Sequence, residues 1–270
     1  MNSYTWIEAH TAEEAAAELA AQRGSALLKA GGVDVLDRLK EQLDQPERLI
    51  NLRRATGHGL SELVELKGTT LPEGVVKLLP GDGSGATPTA RDCFRVGALL
   101  SLANLASSQL LRASVPALAE AAESVATPQI RQLATLGGNV LQRTRCSYFR
   151  DISYEACNKR NPGTGCAALD GFNRAHAVLG TSDQCIATYP GDFAQALIAL
   201  NAIVEITGRS GSRSLPFEQL HKQPGRSPQI ETTLSPGELI SAFVIEGRWP
   251  RSLYLKVRDR QSYEFALASA

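Results

Sequence analysis

Neither sign of charge is in excess: 28 Lys and Arg residues offset 28 Asp and Glu residues, and the isoelectric point lies near neutrality. A chain so balanced offers no basic field to nucleic acid or to an anionic membrane surface. The N-terminus, MNSYTWIEAHTAEEAAAELA, lacks the basic region and apolar core of a secretory signal. No apolar run is long enough to cross a bilayer, and the richest, ALLSLANLA, is broken by Ser101 and Asn104. We therefore expect a soluble protein with no nucleic-acid partner, no membrane insertion and no signal peptide of its own. Internal repeats are absent. So are the GxGxxG and P-loop patterns, which excludes the usual Rossmann and Walker modes of nucleotide binding. His10, His58, His176 and His221 lie apart and form no metal-spaced set, and no C-x-x-C pair occurs.

Cysteine is scarce but unevenly placed. Four of the five, Cys146, Cys157, Cys166 and Cys185, fall within forty positions, and only Cys93 lies elsewhere. The residues between them show neither strand alternation nor helical period. Asn161, Pro162, Gly163, Gly165 and Gly171 supply turns in this long excursion. A structureless segment of that length needs something internal to hold it. Four thiolates on one inorganic centre would do so, and both zinc and iron–sulfur clusters accept them. Gaps of ten, eight and eighteen residues are unlike the short paired spacings of a zinc site. From Arg143 to Cys185 six cations face four anions, an excess suited to an anionic cluster. Zinc, disulfides or inert thiols remain open on spacing and charge alone.

Two glycine pairs stand out elsewhere. Thr11 and Glu14 form a capping box before a helix in AEEAAAELAAQ, which Arg23 and Gly24 end. A short strand at Ala26 to Leu28 then meets Gly31 and Gly32, followed by a helical pattern in Val35, Leu36, Leu39 and Leu43. Strand, glycine turn and helix start together place backbone N–H groups and a positive helix end in one spot, which suits a phosphate. A second strand is expected at Arg48 to Leu52, and LPGDGSGATPTARD reads as a surface loop. CFRVGALLSLANLASSQLLR reads as a strand running into a helix, and VPALAEAAESV as a further helix. ATPQIRQLATLGGNVLQR carries Gly137 and Gly138, flanked by Thr135 and Asn139; this is either half of a ligand site or a turn stabilised by the Asn139 side chain. Asp192 is placed to cap the helix in FAQALIALNA. AIVEITGRSGSRSL reads as a hairpin, PFEQL as a short helix, SAFVIEG as a strand, and SLYLKVRDRQSYEFALASA as two strands around a polar turn. The chain stops on an apolar strand-like segment, so a continuation beyond Ala270 is expected.

In order along nearly the whole chain, these segments resemble the FAD-binding medium subunit of the molybdenum hydroxylases, the family of xanthine dehydrogenase, CO dehydrogenase and aldehyde oxidoreductase. AGGVD at Ala30 to Asp34 looks like the family's first flavin loop and ATLGGNVLQR like its second; YPGD at Tyr189 to Asp192, GELI at Gly237 to Ile240 and YLKVRDR at Tyr254 to Arg260 match further pieces. QRTRCSYFRD, CNKRNPGTGC and DQCIA are similar to the subgroup, including bacterial periplasmic aldehyde oxidoreductases, whose FAD subunit carries an extra four-iron four-sulfur cluster.

The resemblance implies an α+β chain with the FAD-binding fold of CO dehydrogenase flavoproteins. Residues 1–80 would form an N-terminal FAD-binding subdomain, 81–250 a second one with the iron–sulfur loop at 143–188, and 251–270 the start of a C-terminal domain that is largely missing. FAD would contact Leu28, Lys29, Ala30, Gly31, Gly32, Val33, Asp34, Val35, Thr135, Gly138, Asn139, Asp192 and Ile240, with Lys256 as a cation near the ring system. Cys146, Cys157, Cys166 and Cys185 would hold one 4Fe-4S cluster, as a staple for the loop rather than a relay, with Cys93 outside. Val33 stands where the family usually has Thr or Ser, and Tyr189 and Gly191 replace its usual His and Ser.

The implied role is electron transfer, with no catalytic acid or base in this subunit. A large subunit carrying the molybdenum cofactor and a small 2Fe-2S subunit would be its partners, and FAD would pass electrons to an external acceptor. A partner's export signal could carry the chain to the periplasm; otherwise it is cytoplasmic. Two other classes stay in view: a non-redox scaffold with a zinc loop, and a stand-alone flavin oxidase.

Overall fold

The computed structural model describes residues 3–21, 24–66 and 92–270. Strand β1 (Thr5–Glu8), helix α1 (Ala12–Ala21), β2 (Ala26–Lys29), α2 (Val33–Lys40) and β3 (Arg48–Asn51) build a three-stranded parallel sheet in the order β1-β3-β2. The capping box forms: the Glu14 N–H donates to Thr11 Oγ1 at 3.1 Å, and the Glu14 carboxylate accepts from the His10 N–H at 2.7 Å. Ala12, Ala15 and Ala16 are fully buried, their short side chains letting α1 pack close to Ala26 and Ile50. Helix α2 ends before Leu43, because the chain turns left-handed at Gln42 (φ 60°).

The second unit is a five-stranded antiparallel sheet. Its strands are β4 (Leu63–Leu66), β5 (Cys93–Gly97), β6 (Ile203–Gly208), β7 (Gly211–Pro216) and β8 (Leu239–Glu246), in the order β4-β5-β8-β6-β7. Between β5 and β6 the chain forms helices α3 (Leu102–Ser107), α4 (Gln109–Ser114), α5 (Pro116–Glu123), α6 (Pro128–Leu133), α7 (Leu136–Val140), α8 (Ser147–Arg150) and α9 (Asp192–Ala199). The helix expected after β5 is two, because Ser108 leaves helical geometry and its hydroxyl accepts from the Leu111 N–H, starting α4 afresh. The expected hairpin is β6 with β7, and PFEQL contributes one 3₁₀ turn at Phe217–Gln219. The loop expected in LPGDGSGATPTARD lies, apart from Asp92, outside the described residues.

Seven of the eight residues of β8 are buried, so it is the centre of this sheet and reads as a continuous apolar run. Phe243 on β8 meets Phe193 of α9 and Phe217 edge-on, with ring centroids 5.8 and 6.0 Å apart. The last strands, β9 (Lys256–Val257) and β10 (Ala268–Ser269), pair antiparallel as expected. The α+β expectation thus holds. Among the described residues no helix is long and apolar enough to cross a membrane.

Truncating Phe243 to Ala should cost about 3–5 kcal/mol in chemical denaturation, the usual cost of a buried phenyl. Leu255→Ala, at a side chain 60% exposed, should change stability by less than about 0.5 kcal/mol.

Candidate functional site

A cavity of about 720 Å³ opens between the first sheet, α2, α7 and the turn before β10. Its geometry starts with glycine. Gly31 lies so close to α6 that a Cβ there would sit 1.8 Å from the Leu133 carbonyl oxygen, so only glycine allows the two loops to touch. Gly32 turns left-handed at φ 87° and starts α2 with no side-chain cap. The first-turn N–H groups of α2 are left without a capping oxygen, and the helix presents its positive end there.

Helix α7 faces this turn. Thr135 Oγ1 accepts from the Gly138 N–H at 3.3 Å and caps the helix. Asn139, 7% exposed, does not hold the turn, contrary to one of the two sequence readings: its Oδ1 is buried without a hydrogen-bond partner. A buried acceptor with no donor is costly in a finished structure and points to a group that comes from elsewhere.

Of the residues singled out in the sequence, Leu28, Ala30, Gly31, Gly32, Val33, Asp34, Val35, Thr135, Gly138, Asn139 and Ile240 line the cavity. Lys29, Asp192 and Lys256 are not among its lining residues. Lys29 Nζ donates to Asn51 Oδ1 at 3.2 Å and lies over the Trp6 ring. Asp192 is not the cap of α9; Gly191 precedes the helix, and the Asp192 carboxylate is drawn into a buried clamp. Tyr254 Oη and Lys256 Nζ each donate to it at 2.7 Å, and Lys256 also donates to the Ser124 carbonyl. Charge-assisted bonds of this kind outbid helix N–H groups for the carboxylate. The cation of Lys256 is therefore neutralised locally.

Sequence reasoning missed Gln142, Arg145, Tyr263 and Phe265, which also line the cavity. Arg145 was counted only as one of the loop's cations, and no local signal marks Tyr263 and Phe265.

Asp34 joins this cavity to the cysteine segment. Its carboxylate accepts from Arg38 at 3.1 Å, from Arg150 at 2.8 Å, from Arg145, and from the Arg143 N–H at 3.3 Å. Burial pushes the Asp34 carboxyl up, but Arg145, Arg38 and Arg150 outweigh it and hold the group below the usual carboxylate range. Arg150 also pairs with Glu41, the residue that follows α2, at 2.9 Å.

The four clustered cysteines line one small cavity together, though no regular element longer than α8 lies between Leu141 and Asp192. Cys157 and Cys166 face each other in an isolated antiparallel bridge, and Cys185 bridges to Ser182. None of the five cysteines is in a disulfide in this structure. Among the described residues no three His, Cys, Asp or Glu side chains are gathered closely enough to hold a metal ion. Burial pushes the Cys146 and Cys185 thiols up, so a cationic centre would be needed to draw thiolates from them. Cys93 is fully buried in β5, away from the set.

A family model described as the FAD binding domain in molybdopterin dehydrogenase matches residues 86–245. This chain belongs to that family. The aldehyde oxidoreductase FAD-binding subunit PaoB of Escherichia coli is 41% identical over 272 residues, covering all of this chain and 76% of that one. A xanthine dehydrogenase FAD-binding subunit of Escherichia coli is 34% identical over 125 residues, 46% of this chain and 34% of its own length. Among solved structures, carbon monoxide dehydrogenase from Hydrogenophaga pseudoflava superposes with a TM-score of 0.65 at 21% identity, covering 99% of this chain and 68% of that one. At that identity the likeness speaks for the fold, which is the one expected from the sequence. Membership in the family makes the chain an FAD-binding subunit of a molybdenum hydroxylase-type oxidoreductase.

Asp34→Asn should destabilise the chain by about 3 kcal/mol at neutral pH, because it removes the charge that balances Arg145 and Arg150. The Asp34 carboxyl ionises at lower pH folded than unfolded. Its contribution is therefore complete above the ordinary Asp range and is lost as pH falls through the folded value. Thermal melts from pH 7 downward should show a steeper acid loss in the parent chain than in the variant.

Proposed function

We propose that this chain is the electron-transfer subunit of a molybdenum-dependent aldehyde oxidoreductase, with FAD in the large cavity and one 4Fe-4S cluster on Cys146, Cys157, Cys166 and Cys185. The reading rests above all on the two glycine turns that meet across one cavity, with the donorless Asn139 Oδ1 nearby. A volume of about 720 Å³ suits an extended dinucleotide; ligand pockets generally run from about 300 to 1,000 Å³.

FAD supplies the redox chemistry once bound. The chain's own residues do the holding. Gly31, Gly32 and the first turn of α2 receive the pyrophosphate through backbone N–H groups. Thr135 and Gly138 shape the facing wall, Asn139 accepts from a hydroxyl or N–H of the dinucleotide, and Ile240 contributes an apolar surface. Val33 brings no hydroxyl to the phosphate. Tyr254, Lys256 and Asp192 tie β9 to α9 behind the site.

What supports the cluster is the donor set. Four thiols line one small cavity, and four thiolates are the donor set that such a cluster takes. Gaps of ten, eight and eighteen residues between them are unlike the short paired spacings of a zinc site. In this reading the cluster staples the segment to which Asp34 is bound. A large subunit with the molybdenum cofactor, a small 2Fe-2S subunit and an external acceptor complete the system, in the cytoplasm or in the periplasm as an exported partner's passenger. The aldehyde as substrate is supported by the likeness to PaoB along the whole chain.

Co-expressed with its partner subunits and purified without oxygen, the chain should show flavin bands over a broad iron–sulfur absorption, with about four irons attributable to it. One zinc in place of iron, or no flavin, would overturn the corresponding half of the proposal. Cys157→Ser should lose most of that iron. Gly31→Ala, which pushes the Leu133 carbonyl away, should weaken FAD retention at least about tenfold, or about 1.4 kcal/mol, by equilibrium dialysis.

A further inference from the structure

The cysteine segment contains one histidine whose ring the proposed function leaves unused. His176 Nε2 lies 3.1 Å from Cys146 Sγ, and its Nδ1 is buried with no hydrogen-bond partner. The ring is fixed in place. The His176 N–H donates to the Asn173 carbonyl at 2.9 Å, and the Asn173 side chain donates to the carbonyls of Ala168 and Leu169. The ring also packs at a tilt against Tyr148, with centroids 6.0 Å apart, and the Tyr148 hydroxyl accepts from the Phe172 N–H at 2.6 Å.

These contacts choose the tautomer. A proton on Nδ1 would leave a buried N–H with no acceptor, the rarer and costlier defect in a protein interior. A proton on Nε2 meets the sulfur and leaves only a bare lone pair on Nδ1. The neutral ring is then a donor to Cys146.

We propose that His176 donates its Nε2 hydrogen bond to the Cys146 sulfur and so raises the reduction potential of the iron–sulfur cluster. This rests on the cluster assignment above. A donor on a ligand sulfur withdraws electron density and stabilises the more negative, reduced form of the centre. The reduced cluster's extra charge would thereby be met at the Cys146 sulfur. His176 is a positioning and tuning residue, not a ligand.

The test uses the complete complex, with His176→Phe and His176→Gln in this subunit, iron analysis, and a redox titration followed by electron paramagnetic resonance. His176→Phe should keep the iron of the parent complex, shift the cluster's midpoint potential to a more negative value and alter its signal. His176→Gln, which restores an N–H donor, should return the potential toward the parent's. A His176→Phe complex with full iron and an unmoved potential would overturn the proposal, and so would loss of iron, which would make His176 a structural residue or a ligand. A parent complex without iron in this subunit would instead sink the cluster assignment itself.

Discussion

A single carboxylate ties the chemistry of this chain together. Asp34 opens α2 beside the Gly31–Gly32 turn, and it accepts from Arg38 in its own helix and from Arg145 and Arg150 in the cysteine segment. Its side chain is only 13% exposed, so these cations take over the role that water plays for a surface carboxylate. The consequence is mutual dependence. The glycine turn is aligned by a helix whose first turn is anchored to the cysteine segment, and that segment is anchored by the helix. Loss of order on one side leaves buried charge on the other.

The cysteine segment has little apolar core of its own and exposes Phe172, Val178 and Leu179. Directed polar bonds hold it instead. Asn158 accepts from the Gly163 and Gly165 N–H groups and donates to Gln184, closing the turn between Cys157 and Cys166 onto Cys185. Arg160 donates to the carbonyls of Tyr148 and Phe149, and Lys159 pairs with Glu231. Bonds of this type orient side chains well but contribute little net stability each, because water competes for every partner. The proposed centre on the four thiols would supply what such a lattice lacks, a strong bond at its middle.

Around the larger cavity the constraint is steric instead. The contact between Gly31 and the Leu133 carbonyl and the packing of Gly137 on Ala98 bring two loops within reach of one ligand. The Asp192–Lys256–Tyr254 clamp then ties β9 to the start of α9, with Lys256 reaching on to Ser124. Burying an ion pair there makes sense as a device of register, since an apolar contact would not specify which residues of β9 meet α9.

Much of this was legible in local pattern. The capping box at Thr11, the glycine turn after β2, the hairpin of β6 and β7, the apolar β8 and the cysteine cluster are all short-range signals, set by φ/ψ freedom, side-chain period and residue chemistry. These set the elements and named eleven of the residues that line the cavity, those of the two glycine turns above all. Pairing across long separations was decided by the fold. Asp192 has the sequence of a helix cap, yet Tyr254 and Lys256, more than sixty residues later, offer a charged partner that no local window contains. Arg145 and Phe265 enter the cavity, and His176 meets Cys146, for the same reason: a charge, a ring and a sulfur become neighbours only when burial forces the chain to satisfy them together.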